Sequence, residues 1–213
     1  QKIRRKIFYK QMEITKITII VPTAECEGKK FLPRCLDSIK GQSYENYEVI
    51  VTEEGKVAHN MNQGIKKATG DIIKILCHDD YFNGPHSLEE IAYSWKGGWL
   101  VSGCIHYVEE NGIPNLVHPH TPGWNDHIHR GFNTIGGLSV LAFENKDPLY
   151  FTEGLDFAVD VDMFKRLYAR YGLPRFLVTH NVVIGIGSFQ TTEKMTVEAQ
   201  QKELNLMLQT YGE

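Results

Sequence analysis

Apolar positions along this chain recur at two periods, and the changes between them outline the elements. Ile17-Thr18-Ile19-Ile20-Val21 is a short β-branched run closed by Pro22, which predicts a buried strand. Over residues 28–40, Phe31, Leu32, Cys35, Leu36 and Ile39 return at helical spacing, Pro33 suits a first turn, and Gly41 ends the pattern. A second strand at 48–52 closes on Glu53-Glu54-Gly55. A second helix at 57–69 turns Met61, Ile65 and Ala68 inward and stops at Gly70. The third strand, Ile72-Ile73-Lys74-Ile75-Leu76, runs into Cys77-His78-Asp79-Asp80-Tyr81. This β-α-β-α-β order with short connections predicts an α/β fold whose sheet begins parallel, with right-handed crossovers.

The second half is less regular. Leu88, Ile91, Ala92 and Trp95 mark a helix at 85–95. A strand at 100–108 leads into Glu109-Glu110-Asn111-Gly112, a turn that predicts a hairpin. From 113 to 133 the periodicity dissolves, which predicts a polar loop or lid. A strand at 140–143 follows. Val161, Phe164, Leu167, Tyr168 and Tyr171 then share one helical face, and the tail adds a strand at 176–186 and a helix at 196–209.

Length and composition narrow the class. With 213 residues, 42% hydrophobic and 23% charged, the chain is one globular domain or one domain with appendages. A net charge of −3 gives no electrostatic case for nucleic acid, and no apolar run reaches the length of a membrane span. Cys26, Cys35, Cys77 and Cys104 lack a paired C-x-x-C spacing and read as reduced thiols of an intracellular, cytoplasmic protein. Residues 1–15 are basic and read as a helical segment. Their polar face is either simply solvated or makes weak contact with an anionic membrane surface.

The candidate chemistry is acidic. An isolated ionised carboxylate is too costly to bury, so Asp79 and Asp80 belong at the carboxyl end of their strand, in a crevice of the kind where open α/β sheets bind ligands. Hard oxygen donors on a short loop suit Mn²⁺ or Mg²⁺, and the alternative is an N-cap for the helix near Pro85. Glu153, Asp156, Asp160 and Asp162 form a second cluster. Asp160 and Asp162 stand at a helix N-terminus, either as caps or as a general base facing the first cluster. His118, His120, His127 and His129 surround Trp124; they suit either a zinc site or a lid whose Trp stacks on a sugar ring. Gly136-Gly137 is either a plain turn or a place where backbone approaches a ligand. No Gly-x-Gly-x-x-Gly or Gly-Lys-Ser/Thr is present, which argues against dinucleotide and P-loop sites.

From residue 17 to about 192 the order of motifs resembles a family 2 glycosyltransferase of the GT-A fold. Residues 17–23 resemble the opening strand. Cys35-Leu36-Asp37-Ser38-Ile39, Gln42-Ser43-Tyr44 and Tyr47-Glu48-Val49-Ile50-Val51 resemble its helix, turn and second strand. Asn62-Gln63-Gly64-Ile65 and Ala68-Thr69-Gly70-Asp71 match its Asn-x-Gly-Ile and Ala-x-Gly elements. Cys77-His78-Asp79-Asp80 lies where the family has Asp-x-Asp, with Cys77 in place of the first acid. Asn133-Thr134-Ile135-Gly136-Gly137-Leu138-Ser139 resembles Asn-x-Ile-Gly-Gly-Pro-Ser. Val159-Asp160-Val161-Asp162 resembles Glu-Asp-x-Asp, with Val159 replacing the Glu. The chain's compactness also resembles the amino-terminal transferase domain of a larger viral protein, which would place it in a host cytoplasm.

The resemblance implies a mixed, mainly parallel central sheet flanked by helices. It divides residues 16–213 into a nucleotide-binding half (16–108), an acceptor half (109–192) and a terminal helix (195–210). It implies an inverting transfer of a hexose or deoxyhexose from a nucleoside diphosphate sugar, UDP favoured, to a glycan or other hydroxyl acceptor. Pro22, Thr23, Glu53, Asn60, His78, Asp79 and Gly137 would hold the donor, Asp79 and Asp80 the Mn²⁺ or Mg²⁺, and Asp160, with Asp162 behind it, would be the base. Two other readings remain. A sugar nucleotidyltransferase would want a glycine-rich basic loop where Ala24-Glu25-Cys26-Glu27-Gly28 is acidic. A non-catalytic nucleotide- or sugar-binding module is suggested by Cys77, Val159 and Glu53.

Overall fold

The structure is a computed structural model that describes residues 15–23, 27–110 and 113–212. The basic segment expected at 1–15 lies outside them except for Thr15. The first half follows the predicted order: β1 (Ile17–Pro22), α1 (Leu32–Lys40), β2 (Tyr47–Thr52), α2 (Val57–Lys67) and β3 (Ile72–Ile75). β1 pairs in parallel with both β2 and β3, and every residue of β1 is buried because helices or chain cover both of its faces. β2 is the edge strand, and its Val49 and Val51 remain exposed. At Gly64 of α2, a Cβ would lie 2.4 Å from Ile20 Cγ2, so a residue without a side chain lets this helix cross β1 at backbone distance. The predicted helix start at 28 is instead a 3₁₀ turn, Glu27–Phe31, and α-helix begins at Leu32. Pro33 has no N–H to donate, so the α-helical ladder can start only with Pro33 in its first turn.

The second half adds β4 (Tyr81–Phe82), α3 (Ser87–Ser94), β5 (Trp99–Glu110), β6 (Ile113–His120), β7 (Leu141–Glu144), α4 (Val159–Tyr171), β8 (Arg175–Ile186), α5 (Thr191–Lys194) and α6 (Val197–Tyr211). The mixed sheet runs β2-β1-β3-β7-β5-β8-β4, with β6 also on β5. β5 pairs in parallel with β8 along one edge, so antiparallel β7 and β6 follow each other along the opposite edge. The predicted hairpin is present, Glu110 standing opposite Ile113. The loop expected from 113 is not: residues 113–120 form β6. Pro114 and Pro119 hide this strand from periodicity, and an outer strand tolerates them because its ladder is used on one side only.

Helix α4 seats the second half of the site. Trp99 stacks on its Phe164 at a 25° interplanar angle, and Trp124 stacks on its Tyr168 with ring centroids 4.2 Å apart. Its first turn has no capping side chain of its own. Glu203 of α6 instead accepts the N–H groups of Asp156, Phe157 and Ala158 at 2.8–3.2 Å, pinning the chain that leads into the helix. Among the described residues, no helix is long and apolar enough to cross a membrane.

Candidate functional site

Parallel strands deliver their carboxyl ends to one edge. Thr23 after β1 and the 77–80 turn after β3 meet there the start of α2, the Gly137–Leu138 turn, the start of α4, the end of β8 and α5. Together they line a cavity of about 430 Å³. A second groove of about 950 Å³ runs along α6 and meets the first at Lys56 and Asp156, whose side chains are ion-paired at 2.5 Å. It carries none of Asp79, Asp80, Asp160 or Asp162.

The acidic turn is held from behind. Asp80 is 5% exposed, and its carboxylate accepts the Gly185 N–H at 2.9 Å and bonds the Ser139 hydroxyl. A Cβ at Gly185 would lie 2.8 Å from the Tyr107 hydroxyl, so glycine is what lets this backbone reach Asp80. The Tyr107 hydroxyl accepts from Arg34 and donates to the Asp79 carbonyl at 2.9 Å. His78 Nδ1 lies 3.1 Å from the Pro22 carbonyl; a carbonyl only accepts, so this nitrogen carries the proton and ties the turn to β1. Neither acid caps α3, whose N-cap position is His86.

Burial pushes the carboxyl pKa values of Asp79 and Asp80 up, and Asp79's charge adds to the rise at Asp80. The buried Lys74 of β3 donates to the Ser139 carbonyl, and burial pushes its ammonium down to about 7 although Asp80 pulls the other way. Two adjacent carboxyls in a buried turn are therefore short of positive charge. Ligand atoms of Cys77, Asp79 and Asp80 all lie within 4.8 Å of one another, and the two carboxylates are hard donors. The carboxylate pair fits a divalent cation.

Asp160, in the first turn of α4, lines the same cavity. One carboxylate oxygen accepts from Asn133 Nδ2 at 2.9 Å, the other from the Val161 N–H at 2.7 Å, and burial pushes its pKa up to about 6. Asn133 also folds its own turn, accepting from the Ile135 and Gly136 N–H groups at 3.0 and 3.2 Å.

Pro22, Thr23, Asn60, His78, Asp79, Asp80, Gly137 and Asp160 all line the cavity, and two expected residues do not. Glu53 is turned outward at the end of the edge strand and pairs with Lys29. Asp162 falls on the inner side of α4, where it accepts from Tyr211 at 2.6 Å, Thr152 at 2.7 Å and Arg166 at 2.9 Å. Asn60 works through backbone, holding the Thr23 carbonyl at 2.9 Å and the Glu54 N–H at 2.5 Å. The Thr23 hydroxyl, by contrast, is buried with no hydrogen-bond partner among the described residues.

The four histidines do not gather: among the described residues the one convergent set of metal-ligand atoms is Cys77, Asp79 and Asp80. Trp124 is half-buried, one of its faces stacked on Tyr168, and it does not line the cavity. Sequence reasoning gave no role to Lys74, Ser139, Tyr107, Gly185 or Lys194, although a lysine inside the run 72–76 was a visible signal.

Neither protein-family models nor curated proteins give a match to this sequence. Solved structures do. Residues 1–349 of S. aureus TarS in complex with UDP-GlcNAc align with a TM-score of 0.67 at 16% identity, covering 90% of this chain and 65% of that one. The same protein in complex with UDP aligns at 0.60 and 14%, covering 91% and 65%. The mannosyltransferase PcManGT from Pyrobaculum calidifontis, in complex with GDP-Man and Mn²⁺, aligns at 0.54 and 16%, covering 86% and 62%. The chain thus spans less than two thirds of each of these proteins. Identities this low bear on architecture alone, and the architecture is the GT-A fold.

Proposed function

We propose that the protein is a divalent-metal-dependent, inverting glycosyltransferase of the family 2 type, using a nucleoside diphosphate sugar and a hydroxyl acceptor. The observation that carries this reading is that Asp160 and the Asp79–Asp80 pair, 80 residues apart in the chain, open into one cavity. The partnerless Thr23 hydroxyl in its wall supports a ligand there, since a buried hydroxyl without a hydrogen bond costs stability. The likeness to proteins crystallised with UDP-GlcNAc, UDP and GDP-Man supports the ligand class.

The nucleotide lies along Pro22, Thr23, Asn60 and His78, with uracil the favoured base. Asp79 and Asp80 hold the Mn²⁺ or Mg²⁺, which when bound offsets negative charge on the departing diphosphate. Lys194 brings a further positive charge to the same cavity. Asp160 takes the proton of the acceptor hydroxyl as that oxygen bonds the anomeric carbon and the sugar–diphosphate bond breaks. Neither Glu53 nor Asp162 takes part in this scheme. The groove that joins the cavity at Lys56 and Asp156 gives the acceptor its approach.

Incubation with a panel of UDP-, dTDP- and GDP-sugars and Mn²⁺, with and without EDTA, tests this by release of free nucleoside diphosphate. EDTA-sensitive release from one donor is expected. Calorimetric binding of a donor without release, with any acceptor supplied, would instead establish the non-catalytic module, and failure to bind any nucleotide would end the reading.

A further inference from the structure

The turn after β3 departs from an all-oxygen metal site at one position. Cys77 opens the cluster, its side chain is free of any disulfide, and it lines the cavity beside Asp79 and Asp80. Its sulfur and the two carboxylates lie within 4.8 Å of one another. A metal–sulfur bond of about 2.3 Å and a metal–oxygen bond of about 2.1 Å leave only a small side-chain adjustment to bring all three onto one ion. The Cys77 backbone is fixed, its N–H donating to Ser139 Oγ at 2.9 Å, so the thiol cannot swing far from the acids. Asp80 already accepts from Gly185 and Ser139, which leaves it fewer lone pairs for a cation and raises the need for another donor.

We infer that Cys77 is a metal ligand, and that the mixed thiolate–carboxylate set selects a thiophilic divalent ion, of the Co²⁺, Zn²⁺ or Cd²⁺ kind, over Mg²⁺. The inference rests on the metal-dependent reading above and adds the sulfur donor to it. As the metal–sulfur bond forms, the thiol S–H bond breaks and its proton passes to water; nothing is oxidised or reduced. A thiolate is a soft donor. Mg²⁺, which demands near-octahedral hard oxygen donors and sheds water reluctantly, gains little from it, whereas the later transition ions and Cd²⁺ gain much.

The test is titration of the whole chain with Co²⁺ and with Cd²⁺, followed by near-ultraviolet thiolate-to-metal charge-transfer absorption, beside Mn²⁺ binding followed by electron paramagnetic resonance. The charge-transfer band is expected in the native protein and in Cys35→Ser, and absent in Cys77→Ser. Cd²⁺ binding should weaken on the order of tenfold or more in Cys77→Ser. Cys77→Asp should lose the band and bind Mg²⁺ more tightly, which also guards against a variant that merely misfolds. If Co²⁺ or Cd²⁺ binds without the band, or the band survives Cys77→Ser, the sulfur ligand is overturned while the metal-dependent transferase stands. If none of Mn²⁺, Co²⁺ and Cd²⁺ binds, both fall.

Discussion

Asn133 donates a hydrogen bond to the carboxylate of Asp160 at 2.9 Å, across 27 residues of sequence. The amide holds the acid's oxygen in place and stabilises its charged form, while burial opposes that charge. Asp160→Asn keeps the volume and removes the basic oxygen. Turnover should fall by about 10²–10⁴-fold with donor affinity nearly unchanged. Initial rates of diphosphate release alongside calorimetry of donor binding check it; near-normal turnover would show that Asp160 is not the base.

The same acid sets a pH dependence of opposite sign for activity and for stability. Burial lifts the Asp160 pKa from 3.8 to about 6, so the basic form prevails above about 6 and turnover should fall tenfold per pH unit below it. For stability, a folded pKa above the unfolded one favours the fold below about 4, and that advantage is lost as pH rises through about 6. Asp160→Asn should therefore unfold later in urea at pH 8, by up to about 3 kcal/mol, with the gain vanishing near pH 4.

Much of this site was legible from the chain because runs and breaks in hydrophobicity mark strand ends. The three β-branched runs placed β1, β2 and β3, and two acids that cannot share a core placed the cavity edge. What stayed hidden depends on phase and partners. Asp160 and Asp162 lie two residues apart in one helical turn, so they face different sides, and only the packing of α6, with Tyr211 reaching Asp162, decides which side is the core. Glu53 follows a strand as Asp79 does, yet β2 is the edge, where Lys29 draws the side chain outward. β4 has two residues, too few for any period, and the prolines of β6 mask a strand that uses one side of its ladder. Asn133 reached Asp160 only through folding, so its position in a glycine turn revealed the turn and not the contact.

Asp79→Ala removes one of the two carboxylates proposed to hold the metal. Metal-dependent donor binding should weaken by about 100-fold or more, while any metal-independent binding through Thr23 and His78 persists. Calorimetry with UDP, with and without Mn²⁺, separates the two. Equal loss in both conditions would show that the substitution collapsed the turn and did not remove a ligand.

Asp162 gives the complementary case, an acid whose hydrogen bonds lie outside the cavity. It is paired with Arg166 at 2.8 Å and accepts from Tyr211 at 2.6 Å, joining α4 to the last helical turn of the chain. Asp162→Ala removes the buried acceptor shared by the half-exposed Arg166 and Tyr211 and the exposed Thr152, and should cost about 1–2 kcal/mol, a Tm drop on the order of 5 °C. Turnover per folded molecule, measured below that Tm, should hold. Collapse of turnover at unchanged Tm would return Asp162 to the chemistry.

Glu48 makes a clasp on the far edge of the sheet. Its carboxylate accepts from Lys16 at 2.7 Å, Thr18 at 2.6 Å, and the Thr69 N–H and hydroxyl at 2.7 and 2.8 Å, joining β1, β2 and the turn before β3. Burial alone would raise its pKa, but these bonds outweigh it and hold the group at about 2. The folded pKa lies below the unfolded 4.5, so the clasp contributes fully above about 4.5 and is lost as pH falls through about 2. Partial exposure reduces the worth of this to about 1–2 kcal/mol. Urea unfolding of Glu48→Gln beside the native chain should therefore show that gap at pH 6 and a smaller one at pH 2.5. A gap that stays constant between the two would mean that the carboxylate's charge contributes nothing and that the loss is one of packing.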